Sequence, residues 1–287
     1  MTYVFTLRLF AIAAGASSIA IATSVAAQEA QSSDEEIIVT AQRSNQTGVR
    51  QGGSVGVLGD QPAENVPFSI RSYNSALILN QQPQTLGQVL ENDPTIRTSY
   101  GFGNAAEQFV IRGFSLAGDD LGFDGLYGVL PRQLVAPELY ESVQVLNGAS
   151  AFLNGASPGG SGIGGSVNLI PKRAGDVDVS RATVGYTSSE HLGGSFDVGR
   201  RYGAGGEWGI RLNGAARRGD VAIDDEFRST YVLGGAVDYD SGPLRVSLDL
   251  AWQRVRVQRL RPKLTVSGVV PDVPDAEENY GQPWQYT

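Results

Sequence analysis

The stretch L-R-V-S-L-D-L-A-W-Q-R, residues 244–254, alternates without a break. Leu244, Val246, Leu248, Leu250 and Trp252 fall on one face of an extended chain; Arg245, Ser247, Asp249, Ala251 and Gln253 fall on the other. Side chains of a strand point to opposite faces with a period of two, so the pattern specifies a strand that is apolar on one face only. Similar stretches precede it. In 181–187, Ala182, Val184 and Tyr186 oppose Arg181, Thr183, Gly185 and Thr187. In 207–217, Trp208, Ile210 and Leu212 oppose Arg211 and Asn213, and in 230–240 Tyr231, Leu233, Val237 and Tyr239 share a face. Residues 192–200 give a weaker fifth run. These runs are long enough for tilted strands to cross a bilayer, with aromatics toward their ends as in interfacial girdles. A soluble β-sandwich also alternates, but its strands are nearer about 5–6 residues. A polar face of Arg, Asp, Asn, Ser and Gly suits a lumen. Residues 176–287 are therefore expected to be antiparallel transmembrane strands of a β-barrel.

Composition narrows the function. The chain has no cysteine and one histidine, His191, among 287 residues. That excludes disulfides and thiolate metal sites and disfavours zinc enzymes and His-based triads. A formal net charge of −8 argues against a nucleic-acid partner. At the N-terminus, Arg8 is the only charge before Glu29, an Ala-rich apolar run fills 9–27, and Val25-Ala26-Ala27 offers small residues for cleavage. Residues 1–27 are expected to be a signal peptide. Beyond it no apolar run reaches the length of a membrane helix, so spanning must be by strands.

Between signal and strands lie two further parts. Residues 28–60 read as a flexible segment, polar and Gly-containing. Within it, 34–43 reads D-E-E-I-I-V-T-A-Q-R. The β-branched run of Ile37, Ile38, Val39 and Thr40 favours extended backbone on a tether too polar to fold alone, suited to adding a strand to another protein's sheet. Residues 61–175 mix short strands with one helical signal: Thr85 caps T-L-G-Q-V-L-E-N, which stops at Asp93-Pro94. F-V-I-R-G-F (109–114) reads as a strand ending in a glycine turn, E-S-V-Q-V-L (141–146) alternates, and a Gly-rich loop at 155–165 leads into S-V-N-L-I (166–170). No Gly-Lys-Ser/Thr follows that loop, so it is not read as a phosphate cradle. The fold class is thus an α+β domain followed by barrel strands.

The order of motifs resembles the TonB-dependent outer-membrane siderophore receptors. Val66-Pro67-Phe68, the capped helix, Ile111-Arg112-Gly113-Phe114, Asp124-Gly125-Leu126, the element from Glu141 to Gly155, and Pro158-Gly159-Gly160 with Val167 to Arg173 follow the family's plug domain; the decamer resembles its TonB box. Asn147-Gly148-Ala149 stands where the family has K-G-P, and residues 161–165 lengthen the closing loop. The resemblance implies a plug inside a barrel of the bacterial outer membrane. It also implies a box (Glu36, Ile37, Ile38, Val39, Thr40, Ala41) that binds the TonB energy-transducing protein, and a ferric siderophore as transported ligand. No cofactor, protein metal site or catalytic residue is implied. Implied ligand contacts are Tyr100 and Phe102 in one apical loop and Tyr127, Arg132 and Gln133 in another. Arg112, Glu141 and Arg173 correspond to residues that make ionic contacts within the plug and to the barrel wall, and Gly113, Gly125, Gly148 and Gly155 to backbone turns. Cobalamin, haem and carbohydrate receptors share the architecture. A non-transport outer-membrane binding protein is the alternative outside transport, though it needs neither box nor plug. A secreted enzyme built on Asp119, Asp120 and Asp124 lacks a nucleophile motif. Five strands cannot close around such a plug, so the barrel is expected to be incomplete and the chain a fragment.

Overall fold

The computed structural model describes residues 48–54, 59–65, 68–104, 106–148, 151, 155–187, 189–262, 267–268, 272–273 and 275–287. The expected signal peptide and the decamer at 34–43, with Glu36 to Ala41, lie outside the described residues.

The first half is the α+β domain. Its main sheet has the order β2-β1-β3-β8-β9-β7, formed by β1 (Arg50–Ser54), β2 (Asp60–Pro62), β3 (Ser69–Asn74), β7 (Gly122–Phe123), β8 (Tyr140–Asn147) and β9 (Gly165–Pro171). A second sheet joins β4 (Ile96–Thr98), β5 (Gln108–Ile111) and β6 (Phe114–Ala117). Among the described residues, helices α1 (Ser75–Gln81) and α2 (Leu86–Leu90) pack on these sheets. In α1 the Asn74 side chain accepts from the Leu77 N–H at 2.9 Å, and in α2 the Thr85 hydroxyl accepts from Gln88 at 3.2 Å. Side-chain caps of this kind satisfy donors that a helix start leaves open. The apolar core is concentrated here: Tyr73, Leu86, Val89, Leu90, Ile96, Phe109, Val143, Val145, Val167 and Leu169 have no measurable exposure.

Two expectations need correction, and a third is extended. The part of the flexible segment at 50–54 is β1, paired with β3 and β2, and its glycines serve close approach: a Cβ on Gly53 would meet the Ser72 hydroxyl at 2.8 Å. F-V-I-R-G-F is a strand ending in a glycine turn, as read from sequence, and the turn leads back into β6 as a hairpin. Arg112 and Gly113, at φ 51° and 91°, form the two-residue turn between β5 and β6, the conformation that primed turns need. The helical signal was read as single, whereas α1 follows β3 with no Gly or Pro between them to mark the change.

The second half is an antiparallel meander of β10 (Val179–Thr187), β11 (His191–Tyr202), β12 (Trp208–Asp220), β13 (Phe227–Asp240) and β14 (Arg245–Gln258), each paired with the next. Its burial is inverted relative to a soluble sheet. On β12, Trp208, Ile210 and Leu212 are about half exposed (52%, 46% and 46%), while Arg211 and Asn213 between them are buried at 6% and 3%. Outward rows run Trp208–Tyr239–Val246, Ile210–Val237–Leu248, Leu212–Gly235–Leu250 and Gly214–Leu233–Trp252. Water on that side would leave all this apolar area unpaid for; hydrocarbon does not. Trp208 and Tyr239, with ring centroids 4.8 Å apart, form one aromatic margin of the band.

Candidate functional site

The buried polar face of the meander is where the two halves meet. Arg173, just past β9, forks onto Asp249 of β14 (Nε–Oδ1 3.1 Å, Nη2–Oδ2 2.6 Å) and reaches Asp124 at 2.8 Å. Lys172 lies 3.0 Å from Asp197 of β11, and Arg211 of β12 forks onto the same carboxylate. Arg217 of β12 pairs with Glu138. Glu141 accepts from the Ser75 hydroxyl at 2.6 Å and lies 3.8 Å from Arg211. Gln253 of β14 donates to the Leu134 carbonyl and accepts from the Ala136 N–H. Apolar contact across this seam includes Ala136 and Leu139 against Ala215 and Val232, and Gly103 against Val257 and Leu260. Buried ion pairs return little net stability because desolvation offsets their attraction, yet they fix position, since stranding one partner costs about 3–5 kcal/mol.

The glycines of the motif set hold turns. Gly113 follows Arg112, whose N–H donates to the Thr95 carbonyl at 3.0 Å; the Arg112 side chain is exposed and has no ion pair among the described residues. Gly125 donates to Asn168 Oδ1 at 2.9 Å and Gly148 to the Gly164 carbonyl at 2.9 Å, each at positive φ, as is Gly155.

One buried residue that sequence reasoning passed over anchors one of the loops expected to contact ligand. Glu107, 7% exposed, accepts from the Gly87 N–H at the start of α2 and from the Val135 N–H, while its own N–H donates to the Arg132 carbonyl at 2.8 Å. It thereby ties the segment just before β5 to α2 and to the 127–135 loop. Burial pushes its pKa up to about 7, against the lowering effect of those two N–H bonds. Tyr100, Arg132 and Gln133 are exposed, with Arg132 3.8 Å from Asp119. Phe102 is covered by Arg228 of β13, 4.0 Å above its ring centroid, and Arg228 is in turn held by Glu226. Tyr127 turns away from this group into a hollow beside the Gly-rich loop, where its hydroxyl bonds Ser166.

Asp119, Asp120 and Asp124 do not form a carboxylate cluster. Asp119 faces Arg132, and Asp124 faces Arg173. Asp120 is buried and accepts from the Gly159 N–H (2.6 Å), the Ser161 N–H (3.0 Å) and the Ser161 hydroxyl. Burial raises its pKa, but these bonds outweigh that and hold the carboxyl below its usual range. The Gly-rich loop thus spends its N–H groups on the protein's own carboxylate. No group of three or more metal-ligating side chains occurs among the described residues.

An α+β plug seated by charge on the inner face of a sheet whose outer face is apolar defines the plug and first barrel strands of a TonB-dependent outer-membrane receptor, and the chain belongs to that family. The family model for the TonB-dependent receptor plug domain matches residues 62–161. The ferrichrome receptor FcuA of Yersinia enterocolitica is 44% identical over 241 residues, 83% of this chain and 32% of that protein. The ferric-pyoverdine M114 receptor PbuA of a Pseudomonas strain is 25% identical over 205 residues, 69% of this chain and 24% of that protein. The solved structure of BauA, the ferric preacinetobactin receptor of Acinetobacter baumannii, superposes with TM-score 0.79 at 33% identity, covering 84% of this chain and 36% of that one. The chain thus spans about a third or less of the length of these relatives.

Proposed function

We propose that this chain supplies the docking peptide, plug and first wall strands of a receptor that carries ferric siderophores across the bacterial outer membrane. Residues 1–27 direct export. The observation that carries this reading is the seam: the plug's own core is apolar and closed, whereas its contact with the wall, among the described residues, is built largely on ion pairs and hydrogen bonds. Such a contact fixes the plug in register at rest. It can part without exposing large apolar area, because both faces are polar enough to be wetted.

In this reading Tyr100, Phe102, Arg132 and Gln133 meet the chelate, aromatics against its organic frame and Arg and Gln on its oxygens, and Tyr127 supports their loops from the hollow below. The siderophore holds the iron, so the protein needs no metal ligands. Ferrichrome is the first ligand to test, given the 44% identity to FcuA. TonB adds a strand along Glu36, Ile37, Ile38, Val39, Thr40 and Ala41 and pulls. The first element under load is β1, registered with β3 through Arg50↔Ser72 and Gln51↔Arg71 and tied by the Ser72 hydroxyl to the Gly52 carbonyl at 2.6 Å. At about 1 kcal/mol net per hydrogen bond this is a weak join, so the load reaches the plug sheet by peeling β1 first.

Replacing Val39 by Pro removes a donor and stiffens the docking strand. We expect Val39→Pro to abolish energised uptake of radiolabelled ferrichrome by iron-starved cells while leaving binding at the cell surface unchanged. Uptake equal to wild type would refute the assignment of the box.

A further inference from the structure

Polar side chains on the inner face of the wall are paired with glycines. Arg217 stands in register with Gly193, Arg211 with Gly199, Asp238 with Gly209 and Asn213 with Gly234, each glycine on a neighbouring strand. In every one of these pairs the polar side chain occupies the space that a Cβ on the glycine would take. A Cβ on Gly199 would lie 2.5 Å from Arg211 Cδ, and one on Gly193 would overlap Arg217 Cγ. These side chains therefore lie along the sheet, across a bare strand, rather than standing up into the lumen. Their direction decides what they reach. Asp238 of β13 crosses Gly209 of β12 to meet Arg201 of β11 at 2.8 Å, and Arg211 crosses Gly199 to fork onto Asp197. Both of these pairs lie within the wall. Arg217 crosses Gly193 and leaves the wall, ending on Glu138 of the plug. That pair is held end-on: Glu138 Oε2 and Arg217 Nη2 are buried and have no hydrogen-bond partner among the described residues. A hollow of about 230 Å³ borders Gly193, Arg217 and Glu138, so a guanidinium pushed off the glycine has room to swing away.

We infer that Gly193 is a positioning residue of the plug's seat: its missing side chain lays Arg217 flat toward Glu138 and so fixes where the plug rests on the wall. Glu138 follows directly on the 127–135 loop that Glu107 anchors, so the position of Arg217 is also the position of that loop. Gly199 does the same for Arg211, whose partner Asp197 also receives Lys172 of the plug. Glycine otherwise weakens a strand interior, because it packs no side chain and leaves the backbone loose. Opposite a charge it supplies direction instead. A buried charge that misses its partner is strongly destabilising, so an end-on pair with no second bond depends on the aim of its arginine. That the 127–135 loop bears ligand rests on the uptake reading; the seat itself does not.

The test uses the chain purified in detergent from its native membrane, with nitroxides on Gln88→Cys in the plug and Leu250→Cys on the outer face of β14, both exposed. Pulsed electron resonance reads the distance between them. Gly193→Ala is expected to add the same displaced distance population as Arg217→Ala. The double variant should match Arg217→Ala alone, because the glycine acts only through the arginine. Gly199→Ala and Arg211→Ala should behave as a second such pair. Gly235→Ala, on the outer face of β13 where a Cβ would meet nothing closer than 3.7 Å, should keep the wild-type distribution. If either inner-face glycine variant fails to fold, adding the arginine substitution should restore folding, read by heat-modifiable electrophoretic mobility. A wild-type distribution in Gly193→Ala overturns the inference. So does a double variant that is worse than Arg217→Ala by the full effect of Gly193→Ala, or a glycine variant that stays unfolded without its arginine. Ferrichrome binding measured on the same samples separates the two readings. Ferrichrome bound above a seat that Gly193→Ala leaves unmoved sinks this inference alone, and a moved seat in a chain whose wild type binds no ferrichrome sinks the uptake reading alone.

Discussion

At the scale of single residues, Glu107 carries the most chemistry that the sequence hid. A lone Glu ahead of a short strand gives no local signal, because what makes it special is burial by distant segments and the two N–H groups aimed at it. Its folded pKa of about 7 lies above the ordinary carboxylate value of 4.5. The folded plug therefore binds more protons than the unfolded one between those values, and stability falls as pH rises through that window. Above about pH 7 the charged group destabilises the plug by ~3 kcal/mol, at about 1.4 kcal/mol per unit. Asp93 and Asp120 run the other way. Hydrogen bonds hold both below their usual range despite burial, so their stabilisation is lost only in stronger acid. We expect the plug to resist thermal unfolding better at pH 5.5 than at pH 8, and Glu107→Gln to flatten that difference. Matching pH slopes in variant and wild type would show that Glu107 is not the group responsible.

At the scale of elements, the five barrel strands were legible in number and order, because alternation is a local property and their two faces differ in kind, although 192–200 read weakly and β12, β13 and β14 each run three or four residues beyond the stretch that alternates. What alternation alone left open was which face points out. Burial answers it: Arg211 and Asn213 are inside, while Ile210 and Leu212 are outside. The plug was less legible. Its β1 was hidden because Gly52 and Gly53 read as looseness when they allow contact with Ser72 and Gln144. Its α1 was hidden because Asn74 both ends a strand and caps a helix. Candidate ligand residues came from motif position, which placed Tyr100 and Arg132 on exposed loops but could not foresee Tyr127 turning into the hollow or Arg228 covering Phe102. Those contacts join residues far apart in sequence. The lipid-facing assignment predicts a steep asymmetry between neighbours on β12. Leu212→Arg, in the middle of the apolar band, should cost about 2–4 kcal/mol and lower the amount of folded protein in the membrane. Ala216→Arg, at the rim, should be tolerated. Equal folding of the two variants, read by heat-modifiable electrophoretic mobility, would place the band elsewhere.

At the scale of the whole molecule, two kinds of cohesion are divided between two places. Apolar packing holds the plug together, and charge holds the plug to the wall through Arg173–Asp249, Lys172–Asp197–Arg211 and Glu138–Arg217. Beyond β1, the plug's apolar core is separate from the charges that seat it, so loss of the seat leaves that core packed. The account depends on the wall being inside out relative to a soluble sheet. The chain has no cysteine, so a thiol introduced at any position reports on that position alone. The most direct test is a cysteine scan of residues 208–213 in native membranes, each thiol carrying a nitroxide whose accessibility to oxygen and to a water-soluble paramagnetic reagent is compared. Labels at 208, 210 and 212 should show high oxygen access and those at 209, 211 and 213 low access to both reagents, with a period of two. Loss of that alternation, or water access highest at 210 and 212, would contradict the account.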